Sequence, residues 1–122
     1  MRTYTFKKQV KNIGGCYAEI SFDIDYVEES TSNLIVSYQA SAEWEYACMA
    51  GIYVFYDYFK RMKRGAIDIK IYDIDWRPVD TNQLVVMYAC INALLGALNI
   101  QVEKLEFDDT GEVFIFPEAR SI

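Results

Sequence analysis

Residues Gly65 to Leu98 read GAIDIKIYDIDWRPVDTNQLVVMYACINALLGAL. Ile67, Ile69 and Ile71 alternate with Asp68 and Lys70, the period-two pattern of a strand with one buried face. The phase then moves to Tyr72, Ile74 and Trp76, which predicts a bulge or a strand end. Pro78 disfavours helix immediately before it. Asp80 and Gln83 have the spacing of a capping box, so a helix is predicted from there to about Leu98. That helix carries no charged residue, and in a small protein it must be covered by something.

On the N-terminal side of this stretch, Gly65 closes a longer amphipathic segment. Ser41 is placed to cap it, and Glu43 and Glu45 lie in its first turn, where the helix dipole favours anions. Lys60, Arg61, Lys63 and Arg64 lie at its favourable end for cations. Further upstream, three strands are predicted. The first runs roughly from Arg2 to Lys8. In the second, Ala18 to Tyr26, Ala18, Ile20, Phe22, Ile24 and Tyr26 face one way, and Glu19, Ser21, Asp23 and Asp25 face the other. The third runs from Leu34 to Ala40. Asn12 to Gly15 reads as a turn, and Glu28 to Ser32 as a polar turn. Ile100 to Phe107 and Glu112 to Phe116 read as a hairpin around Asp108 to Gly111. The expected fold is α+β: a two-layer βββαβα unit with a C-terminal β-hairpin, its helices on one face of a mostly antiparallel sheet. It forms a single domain over residues 1–122.

The two helices differ in what they offer. In the first, Trp44, Ala47, Cys48, Gly51, Phe55, Tyr58, Phe59 and Met62 form a core stripe. Tyr46, Met49, Tyr53 and Tyr56 form a second apolar stripe. The second helix is expected to face the core with Leu84, Met87, Tyr88, Ile91, Leu94, Leu95 and Leu98, and to back it with the smaller Val86, Ala89, Cys90, Ala93 and Ala97. Either the tyrosine stripe covers that small-residue back, or it is a contact between chains. Tyr and Met are enriched at interfaces, so a protein partner or a homodimer is expected at Tyr46, Met49, Tyr53 and Tyr56.

The chain has no histidine, which removes the usual general base and the commonest metal ligand. No phosphate-binding or nucleophile motif occurs. The pairs Asp23 and Asp25, and Asp73 and Asp75, are read first as a solvated strand face and only second as a carboxylate metal site for an enzyme. No catalytic residue, cofactor, metal or small-molecule substrate is therefore expected. The net charge of −6 disfavours broad binding to nucleic acid or anionic membrane, and fits an inhibitor or antidote of a basic partner. Local basic clusters remain at Arg2, Lys7, Lys8 and Lys11 and at Lys60 to Arg64. The three cysteines show no pair spacing; Cys48 and Cys90 read as core, and Cys16 as the one candidate for reactivity. With no charged-then-apolar leader and no span of membrane length, a soluble, cytoplasmic protein is expected.

Three segments resemble domain IV of elongation factor G and of the ribosomal-protection factors. Trp76-Arg77-Pro78-Val79-Asp80-Thr81-Asn82 is similar to the family's aromatic-His-x-Val-Asp-Ser-Ser loop, with Arg77 in place of the His and Thr81-Asn82 in place of the Ser pair. Ala47 to Ile52 is similar to its A-x-x-x-G-I helix segment. Gly14-Gly15-Cys16-Tyr17 is similar to its Gly-rich loop before a strand. The matches follow the family's order over roughly residues 12–98. The resemblance implies the ribosomal protein S5 domain 2-like fold, with a left-handed crossover through the first helix. It also implies a loop tip of Gly14, Gly15, Trp76, Arg77 and Pro78 that contacts ribosomal RNA, making the ribosome a second candidate partner. Arg77 there would pair with phosphate or stack on a base, and Trp76 would stack.

Overall fold

In the computed structural model, residues 1–10, 14–100, 106–108 and 113–115 are described. Four strands form one sheet in the order β1-β2-β4-β3. They are β1 (Arg2–Val10), β2 (Gly14–Glu28), β3 (Asn33–Tyr38) and β4 (Gly65–Asp75). β1 with β2 and β2 with β4 are antiparallel, whereas β3 runs parallel to β4. The parallel pair requires a crossover, which α1 (Glu45–Met62) supplies. A short 3-10 turn, Ala42–Trp44, leads into α1, and the Ser41 hydroxyl accepts from the Glu43 N–H at its start. α2 (Gln83–Ala97) follows β4, and β5 (Glu106–Asp108) pairs with β6 (Val113–Ile115) as an antiparallel hairpin. The fold is α+β, with the strand and helix order expected from the sequence. The predicted loop of that hairpin lies outside the described residues.

The phase shift in β4 is a bulge. Ser21 pairs with Asp73 and Phe22 with Ile71, so Tyr72 is the extra residue. Ile67, Ile69, Ile71 and Ile74 are buried, while Tyr72 turns to the opposite face and donates to Asp23 Oδ2 at 2.8 Å. The core joins these isoleucines to Ala18, Ile20, Phe22 and Ile24 of β2, Phe55 and Phe59 of α1, and Leu94 of α2. The other sheet face is polar. Glu19 lies opposite Asp75 and Asp25 opposite Asp68, and Lys70 is beside Asp23. Tyr72 and the N-terminal ammonium, 3.2 Å from Asp23 Oδ1, hold that carboxyl below its ordinary range, the tyrosine hydrogen bond contributing most.

Three local expectations are corrected. Gly14 and Gly15 do not form a turn but open β2, paired with Val10 and Gln9. Gly65 does not end α1; the helix stops at Met62, Lys63 is extended, and Gly65 is the first residue of β4, paired with Glu28. Asp80 is not the cap of α2. Asn82 is, its Oδ1 accepting from Val85 N–H at 2.9 Å.

α2 is buried nearly all round rather than on one face. Val85, Val86, Tyr88, Ala89, Cys90, Ile91, Ala93, Leu94 and Leu95 are all buried, whereas Leu84, expected in the core, is 53 % exposed. One side of α2 rests on β1 and β2, and another meets α1. The contact on the α1 side comes from small residues. A Cβ added at Gly51 would stand 2.8 Å from the Met87 carbonyl oxygen and 3.0 Å from Cys90 Cβ. Glycine is therefore what lets the two helix backbones approach this closely. Beside it, the Cys48 and Cys90 sulfurs are 3.0 Å apart; this neighbour and burial push the Cys90 thiol well up, so it stays protonated.

Candidate functional site

Two surfaces among the described residues carry the expected site residues. The first is the flank of α1 turned away from α2. Cys48 and Gly51 face α2, and at about 100° per residue Met49, Tyr53 and Tyr46 fall on the opposite flank. The tyrosine stripe thus does not cover α2; α1's small residues do. Tyr46 is 90 % exposed and Tyr53 59 % exposed. With Ala42, Glu45, Met49 and Ala50 they line an open groove of about 520 Å³. Tyr56, placed in the same stripe by the sequence, does not line it. Its ring stacks on Phe59 at 6.4 Å and carries Lys60 Nζ at 5.1 Å from its centroid.

The second surface is the tip where β2 begins and β4 ends. Asp80 holds the two segments together: its carboxylate accepts from Gly15 N–H at 3.4 Å and its carbonyl from Tyr17 N–H at 2.9 Å. Thr81 completes the clasp. Its hydroxyl donates to the Tyr17 carbonyl and accepts from Arg77 N–H at 2.9 Å. A Cβ on Gly15 would lie 3.1 Å from the Lys8 carbonyl oxygen, so this corner is tightly packed. The Arg77 guanidinium lies 4.2 Å from the centre of the Tyr17 ring, a cation–π contact. The Tyr17 hydroxyl donates to Asp75 Oδ2 at 2.7 Å, and this bond, ahead of burial, raises its pKa.

Lys7, Lys8, Gly15, Cys16, Tyr17, Arg77 and Asp80 line an open pocket of about 420 Å³ at this tip. Strand pairing sets Lys7 beside Tyr17 and Lys8 beside Cys16, and so carries two lysines to Arg77. Their convergence was not readable from the sequence, because β1 and the Arg77 loop are far apart along the chain. Of the expected tip residues, Gly15 and Arg77 reach the pocket. Gly14 opens the adjoining strand. Trp76 and Pro78 do not line the pocket; the Trp76 ring meets Trp44 edge-on at 5.7 Å, and Pro78 is exposed in the turn. Trp44 is buried, and its indole Nε1 has no hydrogen-bond partner among the described residues.

Among the described residues, no group of three or more His, Cys, Asp or Glu side chains is arranged to hold a metal ion. Nor is any helix there long and apolar enough to cross a membrane.

No family model matches the chain, and no curated protein matches it. Among solved structures, it is similar to the protein ttk003000868 from Thermus thermophilus, with a TM-score of 0.52 and 14 % identity over 74 % of this chain. At that identity the likeness is one of fold, and the chain spans 14 % of that protein's length.

Proposed function

We propose that this chain is a non-enzymatic binding domain of elongation factor G domain IV-like fold that contacts another protein surface, a second copy of itself included, through the tyrosine flank of α1. One observation carries this reading. α1 spends its small-residue flank on α2 and leaves Tyr46 and Tyr53 in solvent beside an apolar groove. Tyrosines supply large amphipathic contact area at low entropic cost, which suits them to interfaces. The family reading draws support from the Asp80 clasp, which joins the Gly14–Tyr17 and Trp76–Asn82 segments into one tip. Hydroxyl-radical footprinting tests the reading. Tyr46 and Tyr53 are expected to become protected in the assembled protein while Tyr72, on the far sheet face, is unchanged. Equal modification of all three in every preparation would contradict it.

The basic tip pocket favours a second reading, a translation-associated factor that touches ribosomal RNA. Lys7, Lys8 and Arg77 make a local positive site on an acidic chain, suited to backbone phosphate. Co-sedimentation with ribosomes that falls with added salt and weakens in Arg77→Ala is then expected. No co-sedimentation at low salt would remove this reading.

A further inference from the structure

The two edges of the sheet are built differently. β1, at one end, carries Arg2, Lys7 and Lys8, charges of the kind that keep an edge from pairing with another chain. β3, at the other end, reads NLIVSY and holds neither a charge nor a proline. Ile35 on β3 is 54 % exposed. Among the described residues nothing pairs with its outer side. An edge with open backbone groups and neither charge nor proline is the kind that takes up another strand.

This edge and the tyrosine flank lie on the same side of the molecule. α2 packs on β1 and β2, so α1 beside it lies toward β4 and β3, and the flank of α1 turned away from α2 is on the β3 side. We propose that β3 pairs antiparallel with β3 of a second copy about a two-fold axis, joining two four-stranded sheets into one of eight, with the α1 tyrosine flanks packed against each other above the junction. The inference rests on the reading of the tyrosine flank as a protein contact and names the partner.

Charge selects the second copy as occupant. A two-fold axis normal to the sheet keeps both helices on one face and sets them antiparallel. Glu43 and Glu45 at the start of one α1 then approach Lys60, Arg61, Lys63 and Arg64 at the end of the other, and the reverse. Tyr53 lies near the middle of α1, where the two helices would cross. Asp57, one turn beyond Tyr53, is the remaining charge on this flank of α1, and Arg61 of the same helix pairs with it at 2.9 Å, which limits the repulsion between two chains of charge −6.

Sedimentation velocity on the full chain, from low to high micromolar concentration, tests the proposal. The expected species has twice the 14.2 kDa chain mass. Ile35→Lys should weaken the dimer by about tenfold or more, because it removes an apolar contact and sets like charges near the axis. Thr3→Lys on the opposite edge should leave the dimer intact. Circular dichroism checks folding, and Ser37→Lys on the same edge replaces Ile35→Lys should that variant not fold. A wild-type chain that stays monomeric throughout overturns the proposal. A dimer that resists both β3 lysines but dissolves in Tyr53→Glu also overturns it, while leaving the tyrosine flank as a protein contact.

Discussion

The two flanks of α1 solve opposite problems with the same helix. Toward α2 the residues are small, and the backbones meet so closely that a single Cβ at Gly51 has no room. Away from α2 the residues are large, aromatic and in solvent. An apolar stripe on a helix therefore does not by itself say what it covers. Size decides. The small stripe brings the two helices together over the sheet, and the large one is left in solvent.

Three perturbations are expected to have effects of decreasing size, the first and last of them on the two flanks of α1. Gly51→Ala is expected to cost about 1–3 kcal/mol, because the new methyl group meets the Met87 carbonyl and Cys90 Cβ, neither of which can swing away. The usual gain of roughly 1 kcal/mol for replacing glycine within a helix offsets only part of that crowding. Urea denaturation measures the net effect; a variant more stable than wild type would show that the seam is looser than described.

A smaller effect is expected from pH at the tip. The folded-state pKa of Tyr17 is raised by its bond to Asp75, so the folded protein holds that proton more tightly than the unfolded chain. The resulting stability is fully present below the unfolded tyrosine pKa of about 10 and is lost as pH rises through the folded value. Tyr17→Phe should lessen the alkaline loss of stability, the shares of Tyr4, Tyr38 and Tyr72, whose pKa values are also raised, remaining. An unchanged profile would show that the Tyr17 bond does not contribute.

The smallest change in monomer stability is expected at the open flank. Tyr46→Ser and Tyr53→Ser should each alter it by no more than about 0.5 kcal/mol, as for surface positions outside the core. Both should nevertheless weaken association. A loss of several kcal/mol in a monomeric preparation would mean that the flank belongs to the core.

Much of the fold was legible because period-two and helical patterns record which face is buried. Ile67, Ile69 and Ile71 placed β4, and the phase break at Tyr72, open from sequence to a bulge or a strand end, is the bulge. Other features depended on neighbours that local pattern does not name. Leu84 shares by spacing the face of α2 that buries Ile91 and Leu95, yet lies exposed in the first turn of the helix, a position along the axis that periodicity does not report. Asp80 matched a cap, but its carboxylate accepts from the Gly15 amide across the tip and Asn82 takes the capping role. The tyrosine flank was readable as a second stripe, except Tyr56, which Phe59 draws inward. The Lys7, Lys8 and Arg77 convergence depends on strand pairing alone.

Amide hydrogen exchange as a function of protein concentration distinguishes the two sheet edges. If the tyrosine flank and the β3 edge form the contact surface while the β1 edge does not, amides of Asn33–Tyr38 gain protection as concentration rises and those of Arg2–Lys8 do not. Equal, concentration-independent exchange at the two edges would contradict that assignment.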